Sequence, residues 1–400
     1  MECLDYFNSY NCKSTAIITA ERARVFWMDR ERRLAMVAIV AVAGAAIATY
    51  IATPSQTTLP IPEPGSGGNA GNNTGTGIRV LAQQLEVPWA VDVAADGRVF
   101  FTERAGRIRI IDAGGTLLQE PAAHINVEQR EESGLLGLAL HPDFAQNHLL
   151  YIYHTYSNGT SILNKVLMLR EESNKIVEST VIIDGIPGSD RNDGGRIRFG
   201  PDGKLYVATG DARQPDLAQN ARSLAGKILR INPDGSIPDD NPIAGSPVYS
   251  YGHRNIQGLA WHPVTGQLYA SEHGQEGNDE INLIVPGGNY GWPVEDCNAE
   301  QFERPVVCFN PALAPAGMAF AKSDRLGYQN DIVLATLKAQ HLRLVELDSG
   351  TESNVLTGFG RIRDVVEGPD GSLYITTSNR DGRAIPSAED DKILRVTAQQ

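Results

Sequence analysis

From residue 79 onward the chain repeats one short pattern six times, which constrains its fold more than any other feature. Each copy is a turn followed by a strand rich in aromatic and β-branched residues: "ADGRVFFTE" (95–103), "HPDFAQNHLLYIYH" (141–154), "GPDGKLYVATGD" (200–211), "HPVTGQLYASE" (262–272), "GYQNDIVLATL" (327–337) and "GPDGSLYITTS" (368–378). A second strand follows each: "RIRII" (107–111), "KVLMLR" (165–170), "KILRI" (227–231), "EINLI" (280–284), "HLRLVEL" (341–347) and "KILRV" (392–396). No amphipathic stretch of helical period and length separates them. Short strands repeated in this way predict an all-β six-bladed β-propeller over residues 79–400, with one four-stranded sheet per repeat. A β-sandwich is the alternative, but two such sheets are hard to extend over ~320 residues as one domain. "GIRVLAQQL" near the start and "KILRVTAQ" at the end are expected to pair and close the ring, leaving no open sheet edge.

What precedes the repeats is of a different kind. Residues 34–52, "LAMVAIVAVAGAAIATYIA", carry no charge, and a run of this sort matches the ~20 residues that cross a bilayer as a helix. "DRERR" (29–33) lies just before, with Arg22 and Arg24 further back. A basic flank stays in the cytoplasm. The expectation is a short cytoplasmic segment (1–33), a single transmembrane anchor (34–52) and a Pro/Gly/Ser/Asn-rich linker (53–78), with the propeller on the extracytoplasmic side. A cleaved signal peptide, with Ala46-Ile47-Ala48 as its small-residue site, is the alternative. Met28 is an alternative start, which would make 1–27 an extension. In this geometry Cys3 and Cys12 are cytoplasmic, whereas Cys297 and Cys308 share one exported, loop-rich stretch and are expected to form a local disulfide. The net charge of −13 argues against nucleic acid as a partner, since phosphate binding needs clustered Lys and Arg.

The loops between strands carry the chemistry, because a propeller alone specifies no function. "YGHRNIQGLAW" (251–261) offers Arg254 and Asn255, "GFGRIRDVVEGPDG" (358–371) places Arg361 and Arg363 on one face of a strand edge, and Lys338 ends the fifth repeat's strand. Singly, each would be a surface ion pair. Converging at the mouth of a ring, they make a cationic pocket for a small ligand with several carboxylates. "SEHGQEGNDEINLIVPGGNYGWP" (271–293) is dense in oxygen donors, among them Glu272, Glu276, Asp279 and Glu280. Hard oxygen ligands suit Ca²⁺ rather than Zn²⁺, although no EF-hand spacing is present.

Taken in order, "SGLLGLALHPDF", "GGRIRFGPDGKLYVATGD", "GKILRINPDGSIPDDNP", "GHRNIQGLAW", "SEHGQEGNDEINLIVPGGNYGWP" and "RIRDVV" resemble the soluble glucose/sorbosone dehydrogenase family over about residues 79–397. That family comprises six-bladed propellers and includes the PQQ-dependent aldose sugar dehydrogenases. The resemblance implies PQQ as cofactor, a planar ortho-quinone with three carboxylates, together with an aldose substrate and an electron acceptor. It implies that Arg254, Asn255, Lys338, Arg361 and Arg363 hold PQQ. Glu132 stands where the glucose enzymes have a glutamine near the cofactor, and Phe309 falls where an aromatic covers the quinone. The carbonyls of Gly274 and Gln275 would sit beside a Ca²⁺ that polarises the quinone, and Glu280 and Tyr290 match positions that bind a structural calcium.

One position departs from the family. In "RNDGGRIRFGPDGKLYVATGD" (191–211) the residue four before Arg196 is Asn192, where the family has the histidine that takes the sugar hydroxyl proton as hydride leaves C1. A histidine near pKa 6.5 accepts a proton at neutral pH and an amide does not. Three readings are open: Asp193 or Asp190 serves as the base, the protein binds cofactor or sugar without turnover, or it is a surface propeller that binds a glycan or a protein.

Overall fold

The computed structural model describes residues 76–294 and 297–398; the expected anchor at 34–52 and nearly all of the expected linker lie outside them. The described chain forms six four-stranded antiparallel sheets; in five of them the strands are neighbours in chain order, and in the sixth the first strand of the described chain adds beside the last. The expected six-bladed propeller is present. The first strands of the blades, Pro88–Val93, Leu135–Leu140, Gly194–Phe199, Ile256–Trp261, Pro315–Phe320 and Ile362–Glu367, pack against one another around the ring.

The repeats read in the sequence are the second and third strands of each blade. Val99–Glu103, Leu205–Thr209, Leu268–Glu272, Ile332–Thr336 and Leu373–Thr377 are buried at every position. A blade has a neighbour on each side, so both faces of these strands are covered. They therefore read as continuous runs of β-branched, aromatic and small residues rather than as a polar alternation.

The sixth blade is built from both ends of the chain. Thr76–Ala82 pairs antiparallel with Ile393–Ala398, from Thr76 opposite Ala398 to Ala82 opposite Ile393. The closing strand thus begins within the segment expected to be linker. Among the described residues no helix is long and apolar enough to cross a membrane.

Near the axis the first strands are tied by a buried ion pair. Arg196 Nη1 lies 2.7 Å from Asp364 Oδ2, with the two side chains 1% and 0% exposed. Arg196 Nε donates to the Gln257 carbonyl at 2.8 Å, its guanidinium lies over the Trp89 ring, and Asp364 also accepts the Val91 amide at 3.0 Å. Two side chains thereby join the third, sixth, first and fourth blades.

Cys297 and Cys308 are bonded, with a Cα–Cα distance of 6.3 Å. Cys308 lies opposite Glu280, so the bond pins the excursion between the third and fourth strands of blade 4. Replacing both by serine is expected to cost about 2–3 kcal/mol, the loop-closure entropy of a short loop. Urea unfolding of the oxidised protein and the double variant checks this, and equal midpoints would show that strand pairing alone holds the excursion.

Candidate functional site

All six inner strands slip in register close to their starts: between Pro88 and Val91, Leu135 and Leu138, Gly194 and Ile197, Ile256 and Gly258, Pro315 and Met318, and Ile362 and Asp364. Such irregularities bend a strand and re-aim side chains. Trp89, Leu136, Gly194, Gln257 and Arg363, at or beside these slips, line a cavity together with Arg104, Glu132, Asp193, His273, Ala314, Leu337, Arg361, Asp381 and Arg383. A scaffold repeat thus presents unlike residues from every blade to one space.

The cavity is cationic. Arg361 Nη2 and Arg363 Nη2 lie 2.8 and 3.5 Å from Asp381 Oδ2, and Arg383 Nη2 lies 2.6 Å from Glu132 Oε1. Burial raises the Asp381 carboxyl, but Arg363 and Arg361 outweigh it and hold the group below its ordinary value. Burial likewise opposes ionisation of Glu132, which Arg383 and Arg363 overcome. Arg363, its guanidinium pushed down to about 10 by burial, remains charged at neutral pH. Four arginines therefore face two ionised carboxylates, leaving positive charge for an anionic ligand.

Asp193 differs from both. Oδ1 accepts Asn164 Nδ2 at 3.0 Å and the Ser189 amide at 2.9 Å, whereas Oδ2 is buried with no hydrogen-bond partner. Desolvation raises its pKa to about 7, against the lowering by those two donors. The two glycines after it set its place. Gly194 has φ +64°, and a Cβ there would meet the Thr209 carbonyl carbon at 2.6 Å, so only glycine lets this loop lie against the neighbouring strand.

Asn192 is directed elsewhere. Its Nδ2 donates to Asp211 Oδ1 at 3.0 Å, and Asp211 also accepts Trp292 Nε1 at 2.9 Å. It is not among the cavity-lining residues. Asp190 pairs with Arg213 at 3.1 Å and lines a separate, open cleft with Arg130, Ser161 and Gln214.

The structure brings Glu132, Asp193, Arg361 and Arg363 of the expected site to the cavity. Asn255 lies behind it, its Oδ1 accepting the Gly194 amide at 3.1 Å and Gln257 Nε2 at 3.1 Å. Lys338 is exposed beside the lining residue Leu337. Phe309 is buried in the apolar cluster of Tyr269, Ile281 and Met318, and Ala314 is the residue of that connection that reaches the cavity. Arg254 Nη1 donates to the carbonyls of His273 and Gly274 at 3.1 and 2.7 Å.

The oxygens expected to hold calcium do not form a cage as they stand. The Gly274 carbonyl is occupied by a guanidinium, Glu280 accepts from Asn282 at 3.0 Å, and the Tyr290 hydroxyl donates to the Leu283 carbonyl at 2.7 Å while accepting the Val285 amide at 2.9 Å. Among the described residues no group of three or more His, Cys, Asp or Glu could hold a metal ion.

Trp89, Arg104, His273, Asp381 and Arg383 are absent from the sequence expectations. His273 Nε2 donates to the Pro315 carbonyl at 2.8 Å, and burial lowers the ring's pKa, which keeps it neutral. Their signal is faint. Arg104 stands one past the wholly buried strand Val99–Glu103, and Asp381 and Arg383 stand shortly after Leu373–Thr377.

The pattern that defines the glucose/sorbosone dehydrogenase family matches residues 85–386. The aldose sugar dehydrogenase of Escherichia coli K12 is 32% identical over 339 residues, covering 77% of this chain and 91% of its own. The quinoprotein glucose dehydrogenase B of Acinetobacter calcoaceticus is 37% identical over 250 residues, 54% of this chain and 52% of its own. The PQQ-bound aldose sugar dehydrogenase of Streptomyces coelicolor superposes with a TM-score of 0.73 at 34% identity, covering 81% of this chain and 98% of that one.

Proposed function

Because the chain belongs to the glucose/sorbosone dehydrogenase family, we propose that it oxidises an aldose at the C1 hydroxyl with PQQ held at the arginine-lined cavity. The observation that carries this reading is the excess of guanidinium groups in that cavity beside a buried carboxyl with one unpaired oxygen. Three carboxylates on a flat ring match that charge and the planar donors of arginine. Arg361, Arg363 and Arg383 would hold them. The cavity encloses about 70 Å³, against the roughly 300 Å³ at the lower end of small-ligand sites. Entry of a tricyclic ligand therefore parts the Arg383–Glu132 pair, whose side chains are 46% and 29% exposed. Arg383 is exposed and Glu132 half-buried, and a pair so placed opens at modest cost.

When bound, PQQ supplies the hydride acceptor. The chain supplies the proton acceptor: Asp193 Oδ2 takes the proton of the C1 hydroxyl, at a pKa matched to neutral pH. The base stands one residue after the position the family uses, and Asn192 serves instead to fix Asp211. The oxygens expected to hold calcium lie in hydrogen bonds rather than in a cage, the Gly274 carbonyl accepting from Arg254, and none of these steps uses the ion. Purified protein supplied with PQQ, with and without Ca²⁺, should reduce an artificial electron-accepting dye when aldoses are added. Failure to bind PQQ, with no aldose oxidised, would leave a surface propeller that binds a glycan or a protein.

The proposal places this chemistry outside the cytoplasm, tethered through the linker to the apolar run at 34–52. Protease added to intact cells is expected to release a propeller-sized fragment. A fully protected propeller would overturn the placement.

A further inference from the structure

Arg104 differs from every other cation in the cavity. Arg361 and Arg363 share Asp381, and Arg383 holds Glu132. Arg104 is 8% exposed and lines the same space, yet its Nε has no hydrogen-bond partner. Asp381 and Glu132 act on it only through space, and burial is the larger influence, lowering its pKa. Burying a guanidinium without a partner is unfavourable, so such a group persists where something compensates it.

Its placement is fixed by backbone rather than by charge. The Arg104 amide donates to the Val87 carbonyl at 3.1 Å, and its carbonyl accepts the Leu135 amide at 2.9 Å. Gly134 lies close over its stem: a Cβ there would meet the Arg104 carbonyl oxygen at 2.3 Å and Cγ at 2.9 Å. The first two blades thus hold the stem while leaving the head without a carboxylate.

We propose that Arg104 is an anion anchor, taking a carboxylate of the bound ligand from the first blade while Arg361 and Arg363 serve from the sixth. This rests on the reading of the cavity as the PQQ site and adds a ligand-binding residue to it. A paired arginine must leave or share its internal carboxylate to bind a ligand, whereas Arg104 gives up nothing. It therefore contributes more to affinity than its paired neighbours do.

The test uses the full-length chain, with PQQ and benzene-1,3,5-tricarboxylate as probes, followed by calorimetry, by absorbance for PQQ, and by thermal melts without ligand. Arg104→Met keeps the stem and removes the charge, and Arg104→Lys keeps the charge without the planar fork. The expected result is at least a tenfold loss of PQQ affinity in Arg104→Met, a smaller loss in Arg104→Lys, and an unliganded melting temperature equal to or above wild type. Equal PQQ affinity in wild type and Arg104→Met would overturn the anchor while leaving the PQQ reading intact. A lowered melting temperature restored by lysine, with affinity unmoved, would assign Arg104 a structural role and also overturn it. Binding of the tricarboxylate but not PQQ, lost in Arg104→Met, would support the anchor and reject PQQ. No binding of either probe by wild type would overturn both.

Discussion

Replacing Asp193 by asparagine is expected to lower kcat by ~10²–10⁴, the usual worth of a general base, with PQQ affinity unchanged. The amide keeps the acceptor that Asn164 and Ser189 use and loses only the ability to take a proton. A fall in kcat and kcat/KM together marks an interaction made in the transition state. In wild type, kcat/KM should fall as pH drops below about 7, the pKa to which burial lifts this group. That limb should vanish in the variant. Stability carries the same titration with a definite sign. Because the pKa is raised on folding, the stabilising effect of the bound proton is full below the unfolded value near 3.9 and is lost as pH rises through about 7. The amide does not titrate, so the variant should gain stability relative to wild type over that range. Asn192→His should leave kcat near the wild-type value, since position 192 faces Asp211. A rise of ~10² in that variant would place the base at 192 instead.

Removing Asp364 from the Arg196–Asp364 pair is expected to destabilise the propeller by about 3–5 kcal/mol, because Arg196 is left buried without a carboxylate, and removing Arg196 should cost less, since Arg198 Nη2 still lies 3.5 Å from Asp364 Oδ2. Both side chains are almost wholly buried, and the pair gathers the Gln257 carbonyl and the Val91 amide from two further blades. A Cβ at Gly317 would meet Asp364 Oδ1 at 1.9 Å, so the fifth blade closes over the same carboxylate. Arg196→Met and Asp364→Asn should each lower the urea midpoint. The combined Arg196→Met, Asp364→Leu variant should recover part of the loss, since it leaves neither member of the fully buried pair behind without the other. Single variants costing under ~1 kcal/mol would show that the ring is held elsewhere.

What could be read from the sequence followed burial. The second strands are covered on both faces and carry a strong apolar signal, so the blade number and the ring closure through Ile393–Ala398 were legible. The outermost strands were not. They run from Ala123–His124 to the long, largely exposed Lys175–Pro187, where solvent imposes no pattern. In the site, Arg361 and Arg363 were legible because a basic pair on one strand edge is unusual in an acidic chain. Asp381 was not, since its role depends on a fold that returns it to those arginines from the next loop. Arg196 shows the converse: it belongs to the most distinctive motif in the chain and holds the blades together rather than a ligand.

The proposed chemistry is tested most directly by an anaerobic titration of the full-length protein with PQQ, followed by addition of an aldose. The expected result is a saturable shift of the cofactor's absorbance at one equivalent, then conversion to the reduced spectrum when the sugar is added, with one sugar consumed per cofactor. No shift at any PQQ concentration, or a shift that no aldose converts, would contradict it.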